Sequence, residues 1–226
     1  MRMFEHPTPM DQAEALAISI SNALELAIRA NGWAVLAVSG GRSPVAMFER
    51  LRYRPVRWEM VTVTLVDERV VPPDHPDSNA ALVRAHLLRE AAASAAFLPL
   101  IADEQDVADP AQAVARANRG FRQPDVVVLG MGEDGHTASL FPDAPELQTA
   151  LSETQPGYLI THPSVAPHAR ITLNLAALLA AERAFLSVTG AAKAEVLDRA
   201  LHAPTPALPV SLVASRHRHG FDVFKA

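Results

Sequence analysis

The segment Gly130-Met-Gly132-Glu133-Asp134-Gly135-His136-Thr-Ala-Ser139-Leu-Phe141-Pro142 follows directly on the apolar run Val126–Leu129. It spells a literal G-x-G-x-x-G, the pattern that cradles a dinucleotide pyrophosphate. Glu133 and Asp134 would repel phosphates there, the segment lies past mid-chain, and Pro142 leaves little room for a long helix. Glycines around an acid and a histidine suggest instead a catalytic loop that must approach its substrate closely, with His136 as its working group. The alternative is a hydrogen-bonded structural imidazole, one of nine histidines in the chain.

Three further places carry polar chemistry. Ser39-Gly40-Gly41-Arg42-Ser43-Pro44 stands between an apolar run and a helical segment, with glycines that allow close backbone approach and inward N–H groups. A helix N-terminus adds partial positive charge, and Ser39, Arg42 and Ser43 add donors, so the loop can hold a phosphate. It can equally be a plain turn with Ser43 as a helix cap. The Gly-Lys-Ser/Thr ending of a Walker loop is missing. Asp67-Glu68-Arg69 sets three charges at the end of an apolar run, which is costly unless they are solvated, paired or used. Ser78 or Asp77 caps the helix that follows. Arg170 opens Ile171-Thr-Leu, and Lys193 stands three residues after Gly190 where a helix begins. A cation there opposes the helix dipole, a conflict that a bound anion would relieve.

The elements that must position these loops alternate along the chain. Helices are expected over Asp11–Ala30, Pro44–Leu51, Asn79–Glu90, Pro110–Asn118 and Ala191–Leu201. Strands are expected at Ala34–Val38, Val61–Val66, Val126–Leu129, Tyr158–Thr161, Ile171–Leu173 and Phe185–Val188, with Val210–Val213 and Phe221–Phe224 as late edge strands. Runs such as Val126–Leu129 lack apolar–polar alternation, as strands covered on both faces do. The order implies an α/β fold, a doubly wound, mostly parallel sheet with helices on both faces. No linker or repeat divides the chain, so residues 1–226 read as a single domain. In such sheets ligands bind beyond the carboxyl ends of the strands, where these loops lie.

Composition narrows the chemistry further. The 226 residues include 25 acidic and 20 basic ones, a net charge of −5, which argues against nucleic-acid partners and a polybasic membrane anchor. No cysteine is present, which excludes thiolate catalysis, disulfides and Cys-based zinc sites. The longest apolar stretch, Leu175–Ala181, is far below the roughly 20 residues of a membrane span. With no signal-peptide pattern at the N-terminus, a cytoplasmic location is expected. The sequence specifies no oligomeric state.

Taken in order, Ser39-Gly-Gly-Arg-Ser-Pro44, Asp67-Glu-Arg-Val-Val-Pro72 with His75–Asn79, and Gly130–Pro142 resemble the 6-phosphogluconolactonase family. With Arg170 and Lys193 the likeness runs from about residue 39 to 193. The wider superfamily includes glucosamine-6-phosphate deaminases, whose Asp-Gly-His loop continues toward Phe-Asn-Glu-Pro. This chain has Ser139-Leu-Phe-Pro142, and Arg69 where the deaminases carry an aromatic, both on the lactonase side. A non-catalytic sugar-phosphate sensor on the same fold is a further alternative.

The resemblance implies hydrolysis of a sugar-phosphate lactone, 6-phosphoglucono-δ-lactone, in the oxidative pentose phosphate pathway. It implies a phosphate clamp of Ser39, Gly40, Gly41, Arg42 and Ser43 with Arg170 and Lys193. His136 would be the general base and Asp134 its orienting partner, and Asp67 matches a functional acid of the deaminases. Physically, a lactone is already activated, so a neutral imidazole can deliver the water, and glycine-loop amides or Arg69 can hold the oxyanion. Neither a metal nor an organic cofactor is required.

Overall fold

Ala34–Val38 (β2) and Val126–Leu129 (β6) are buried at every residue and lie side by side in the main sheet. The computed structural model describes residues 1–226. In chain order, the other strands are β1 (Arg2–Glu5), β3 (Val61–Leu65), β4 (Asp67–Arg69), β5 (Ala96–Phe97), β7 (Tyr158–Thr161), β8 (Arg170–Leu173), β9 (Arg183–Val188) and β10 (Phe221–Lys225). The helices are α1 (Pro9–Asn31), α2 (Val45–Leu51), α3 (Asn79–His86), α4 (Glu104–Ala108), α5 (Pro110–Arg119), α6 (Leu147–Ser152), α7 (Leu175–Leu179), α8 (Ala191–His202) and α9 (Pro209–Arg216).

Seven strands form one parallel sheet in the order β1-β10-β9-β6-β2-β3-β5. From β2 the chain first builds outward through β3 to β5, then returns to β6 on the other side of β2. The strand order therefore switches between β2 and β6, and the crevice beyond their carboxyl ends is where such a sheet accepts a ligand. The loops Ser39–Pro44 and Gly130–His136 both start there. They are joined: the Ser39 amide donates to the Val128 carbonyl at 3.0 Å, and the Gly130 amide donates to Ser39 Oγ at 3.3 Å.

Helix α1 shows how local sequence sets these elements. Thr8 accepts from the Asp11 amide at 3.2 Å, Pro9 fits the first turn, and Gly32 closes the helix at φ 81°. Leu16, Ile20, Leu24 and Ile28 recur on one face and are buried in the core shared with the sheet. No helix is long and apolar enough to cross a membrane.

Several elements depart from the sequence expectation, each for a physical reason. Val210–Val213 is not a strand but part of helix α9, begun by Pro209 and buried from Pro209 to Ala214. Its burial on all sides overrides the strand preference of its valines. Phe221–Phe224 is a strand but not an edge, because β1 lies outside it. All four residues of β1 are exposed and the apolar pair Met3-Phe4 is too short to mark a strand; Arg2 binds Asp222 at 2.6 Å. Pro44 occupies the cap position of α2 rather than its first turn. Helix α3 stops at His86, short of Glu90. The strands at Tyr158 and Ile171 leave the main sheet altogether. They form a second, antiparallel sheet, β4-β8-β7, whose third member is the charged tripeptide Asp67–Arg69.

Candidate active site

That small sheet explains how three adjacent charges are tolerated. Alternation along β4 sends the three side chains to different surroundings. Glu68, at 0% exposure, accepts from the amides of Arg69, Asn79 and Ala80 and from Ser78 Oγ, at 2.7–3.2 Å. Burial pushes its carboxyl above the ordinary carboxylate range, and those amide bonds oppose the shift. Glu68 is thus the anchor of the α3 N-terminus, where Ser78 is the cap. Asp67 and Arg69 are left facing the crevice, and both line its cavity.

The cavity encloses about 310 Å³ at the carboxyl ends of β2, β3, β6 and β9. One part of its wall is Ser39–Pro44, with Lys193 of α8 also lining the space. Gly41 needs its missing side chain for φ 85°, a left-handed backbone. Gly40 is small for another reason: a Cβ there would lie 1.8 Å from Asn79 Oδ1. Asn79 Nδ2 in turn donates to the Asp67 carbonyl at 2.9 Å, so one amide side chain ties the glycine loop to β4. Arg42 is exposed and lines the same wall.

His136 also lines the cavity. Its Nδ1 lies 2.6 Å from Asp134 Oδ1, which also accepts from the His136 amide at 3.1 Å. The ring stacks on Phe141 at 4.1 Å. Burial of Asp134 opposes its ionisation, but the bonds and charge of His136 outweigh it and hold the carboxyl below its ordinary value. An ionised Asp134 fixes the Nδ1–H tautomer and leaves Nε2 as the basic nitrogen. After Gly135 the chain turns into a tight bridge between Thr137 and Leu140, with no helix until α6. The G-x-G-x-x-G therefore lacks the helix N-terminus that a pyrophosphate site uses.

Arg170 stands apart from the expected clamp. It does not line the 310 Å³ cavity; it lines an adjoining open hollow that shares Asp67, Arg69, His136 and Ala138 with it. Arg170 and Arg69 are direct partners across β4 and β8. Burial and the Arg69 charge push the Arg170 guanidinium below its ordinary value, while Asp67, Glu68 and Asp77 pull the other way. Its Nε and Nη1 have no partner in the chain although the residue is only 5% exposed. Arg69 is partly committed, donating from Nη1 to the Asp77 carbonyl at 2.5 Å. No group of three or more His, Asp or Glu side chains is arranged to hold a metal ion.

One wall residue, Gln12, carries no motif in the sequence. Gln12 of α1, 3% exposed, donates to the carbonyls of Val188 and Phe224 at 3.0 and 2.6 Å and accepts from Thr189 Oγ1 at 2.9 Å. It fixes the Thr189–Gly190 junction from which α8 presents Lys193. The only signal for such a residue is a polar side chain on the buried face of an amphipathic helix.

The chain is similar to known proteins over most of its length. A 6-phosphogluconolactonase of Neisseria meningitidis is 40% identical over 98% of this chain and 97% of its own. One from Pseudomonas aeruginosa is 45% identical over 84% of this chain and 81% of its own. The crystal structure of a 6-phosphogluconolactonase from Shewanella baltica superposes with a TM-score of 0.92 at 37% identity, covering 100% of this chain and 97% of that one. The model of the glucosamine-6-phosphate isomerases/6-phosphogluconolactonase family matches residues 7–221, and the chain belongs to that family.

Proposed function

We propose that the chain hydrolyses 6-phosphoglucono-δ-lactone to 6-phosphogluconate, with His136 as the general base. The observation that carries this reading is His136, held by Asp134 at 2.6 Å, on the wall of a cavity that also holds the Ser39–Ser43 loop and Lys193. Relatives at 40–45% identity bear the name of this lactonase, which supports the substrate.

The steps follow from the geometry. The phosphate is held by the amides of Gly40–Ser43 and the hydroxyls of Ser39 and Ser43, with Arg42 and Lys193, and Arg170 adds its positive charge from the adjoining hollow. This clamp is remote from the reacting carbonyl, so its binding energy serves orientation. His136 Nε2 takes a proton from a water as the water oxygen attacks the lactone carbonyl. The tetrahedral oxyanion accepts from Arg69 or from the Met131 amide, since the Gly130 and Gly132 amides are bonded to Ser39 Oγ and the His136 carbonyl. Collapse breaks the bond to the ring oxygen, which leaves with the proton held on Nε2. Asp134 stabilises the imidazolium between these two transfers. The residues 1–226 act as one domain in this scheme, because the site draws on loops from both halves of the sheet.

A coupled assay with freshly generated 6-phosphogluconolactone, corrected for spontaneous hydrolysis, tests the reading. Enzyme-dependent formation of 6-phosphogluconate is expected. Ammonia release from glucosamine 6-phosphate without lactone hydrolysis would replace the reading with the deaminase one. Sugar-phosphate binding without turnover of either substrate would replace it with a sensor.

A further inference from the structure

The site holds a second carboxylate whose orientation the mechanism has not explained. Asp67 is 8% exposed and lines both the cavity and the adjoining hollow, beside His136 in each. Its Oδ2 accepts from Ser139 Oγ at 2.6 Å, within the range of a charge-assisted O–H···O⁻ bond. Its Oδ1 has no donor in the chain.

Ser139 is itself held on three sides. It is 1% exposed; its amide donates to Thr172 Oγ1 at 3.1 Å, and its carbonyl accepts from Thr161 Oγ1 at 3.2 Å. Thr172 faces Asp67 directly in the β4–β8 register, and Thr161 lies on β7. The small antiparallel sheet thus carries the carboxylate and also pins the serine that binds it. Ala138, just before the serine, has φ 49°, a left-handed conformation rare for alanine. Such a residue persists where its surroundings over-determine the backbone. Thr137 Oγ1 adds a bond to the Gly130 carbonyl at 2.8 Å. The loop from His136 to Phe141 is therefore rigid on both sides of Ser139, and a hydroxyl there has one fixed acceptor.

We propose that Ser139 is a positioning residue: it occupies Asp67 Oδ2 and so leaves Oδ1 to accept a hydrogen bond from a hydroxyl or water of the bound sugar lactone beside His136. This deepens the lactonase reading and rests on it. Without the serine, the buried carboxylate has two oxygens competing for one ligand donor, and it turns toward whatever donors are near. Arg69 and Arg170 are the charged groups beside it on β4 and β8. A carboxylate drawn onto either arginine is lost to the substrate.

A double-mutant cycle in the coupled lactonase assay tests this, with Ser139→Ala, Asp67→Asn and the double variant. Loss of one hydrogen bond to a charged group predicts that Ser139→Ala lowers kcat/KM by about 10- to 100-fold, carried by kcat, with KM within about threefold. In the Asp67→Asn background the same substitution should change kcat/KM by less than about threefold. If Ser139→Ala does not fold, Ser139→Cys keeps the size, weakens the donor, and serves in the same cycle. Losses that add in the double variant overturn the proposal, as does a single variant with wild-type turnover. A loss confined to KM overturns it too. A wild type inactive on the lactone overturns the lactonase reading, whereas an active wild type with additive losses overturns only this proposal.

Discussion

Gly132→Ala should disable the His136–Asp134 pair without touching either residue. Gly132 does not have a positive φ, so alanine fits the backbone. Its Cβ does not fit the space: it would lie 2.2 Å from His136 Nδ1, 2.3 Å from His136 Cε1 and 2.4 Å from Asp134 Oδ1. Ordinary carbon contacts start near 3.4 Å, so imidazole and carboxylate must each retreat by about 1 Å. Neither can swing away freely, because the ring is stacked on Phe141 at 4.1 Å and the carboxylate also holds the His136 amide. A 1 Å misplacement of reacting groups costs roughly 10²-fold, and loss of general-base help costs ~10²–10⁴-fold. A fall in kcat of at least about 100-fold is therefore expected in the coupled lactone assay. Overpacking of this kind should cost about 1–3 kcal/mol of stability, which leaves the protein folded at assay temperature. Gly120→Ala is the control, because its Cβ would meet nothing closer than the Arg116 carbonyl at 3.8 Å. A Gly132→Ala enzyme that keeps a third or more of wild-type kcat would refute the reasoning that this dyad, in this geometry, delivers the water.

Two other expectations concern the clamp and the pH response. Lys193→Ala and Arg170→Ala should each raise KM and weaken 6-phosphogluconate binding by about 10- to 100-fold, the worth of one charge-assisted bond, with a smaller change in kcat; unchanged affinity in a titration would remove that residue from the clamp. Burial, with the charges of His219 and Arg183, pushes His217 down to about 4 from an ordinary 6.5, and its Nδ1 accepts from the Gly220 amide. Between pH 6.5 and 4 the unfolded chain then binds the extra proton, so this group's contribution to stability is full above pH 6.5 and falls as pH drops toward 4. His217→Asn should flatten the loss of urea resistance over that window, by about 1–2 kcal/mol once solvent screening of the half-buried ring is counted; an identical pH slope in the variant would contradict the assignment.

Residues whose role is local were legible in the sequence. The uniform apolar runs β2 and β6 announced a sheet covered on both faces, and the loops after them announced the ligand edge. The resemblance implies Asp134 as the orienting partner of His136, and the two lie 2.6 Å apart. What stayed hidden depends on distant partners. Asp67–Arg69 looked like a charged loop because its strand character comes from β8, about a hundred residues later. Gly40 was read as room for a ligand, whereas its space is filled by Asn79. The resemblance implies one clamp of Lys193 and Arg170, whereas the second sheet carries Arg170 to a neighbouring hollow. Gln12 and Ser139 act through hydrogen bonds spanning 176 and 72 residues, and no spacing rule reaches so far.

The most direct measurement is the turnover of His136→Ala on 6-phosphogluconolactone, made alongside its affinity for 6-phosphogluconate. The arrangement predicts that kcat falls by about 100-fold or more, because the base assigned to take the proton from water is gone. Product affinity should stay within about threefold, because the Ser39–Ser43 loop and Lys193 are untouched. Wild-type turnover in this variant would contradict the assignment of His136 as the base.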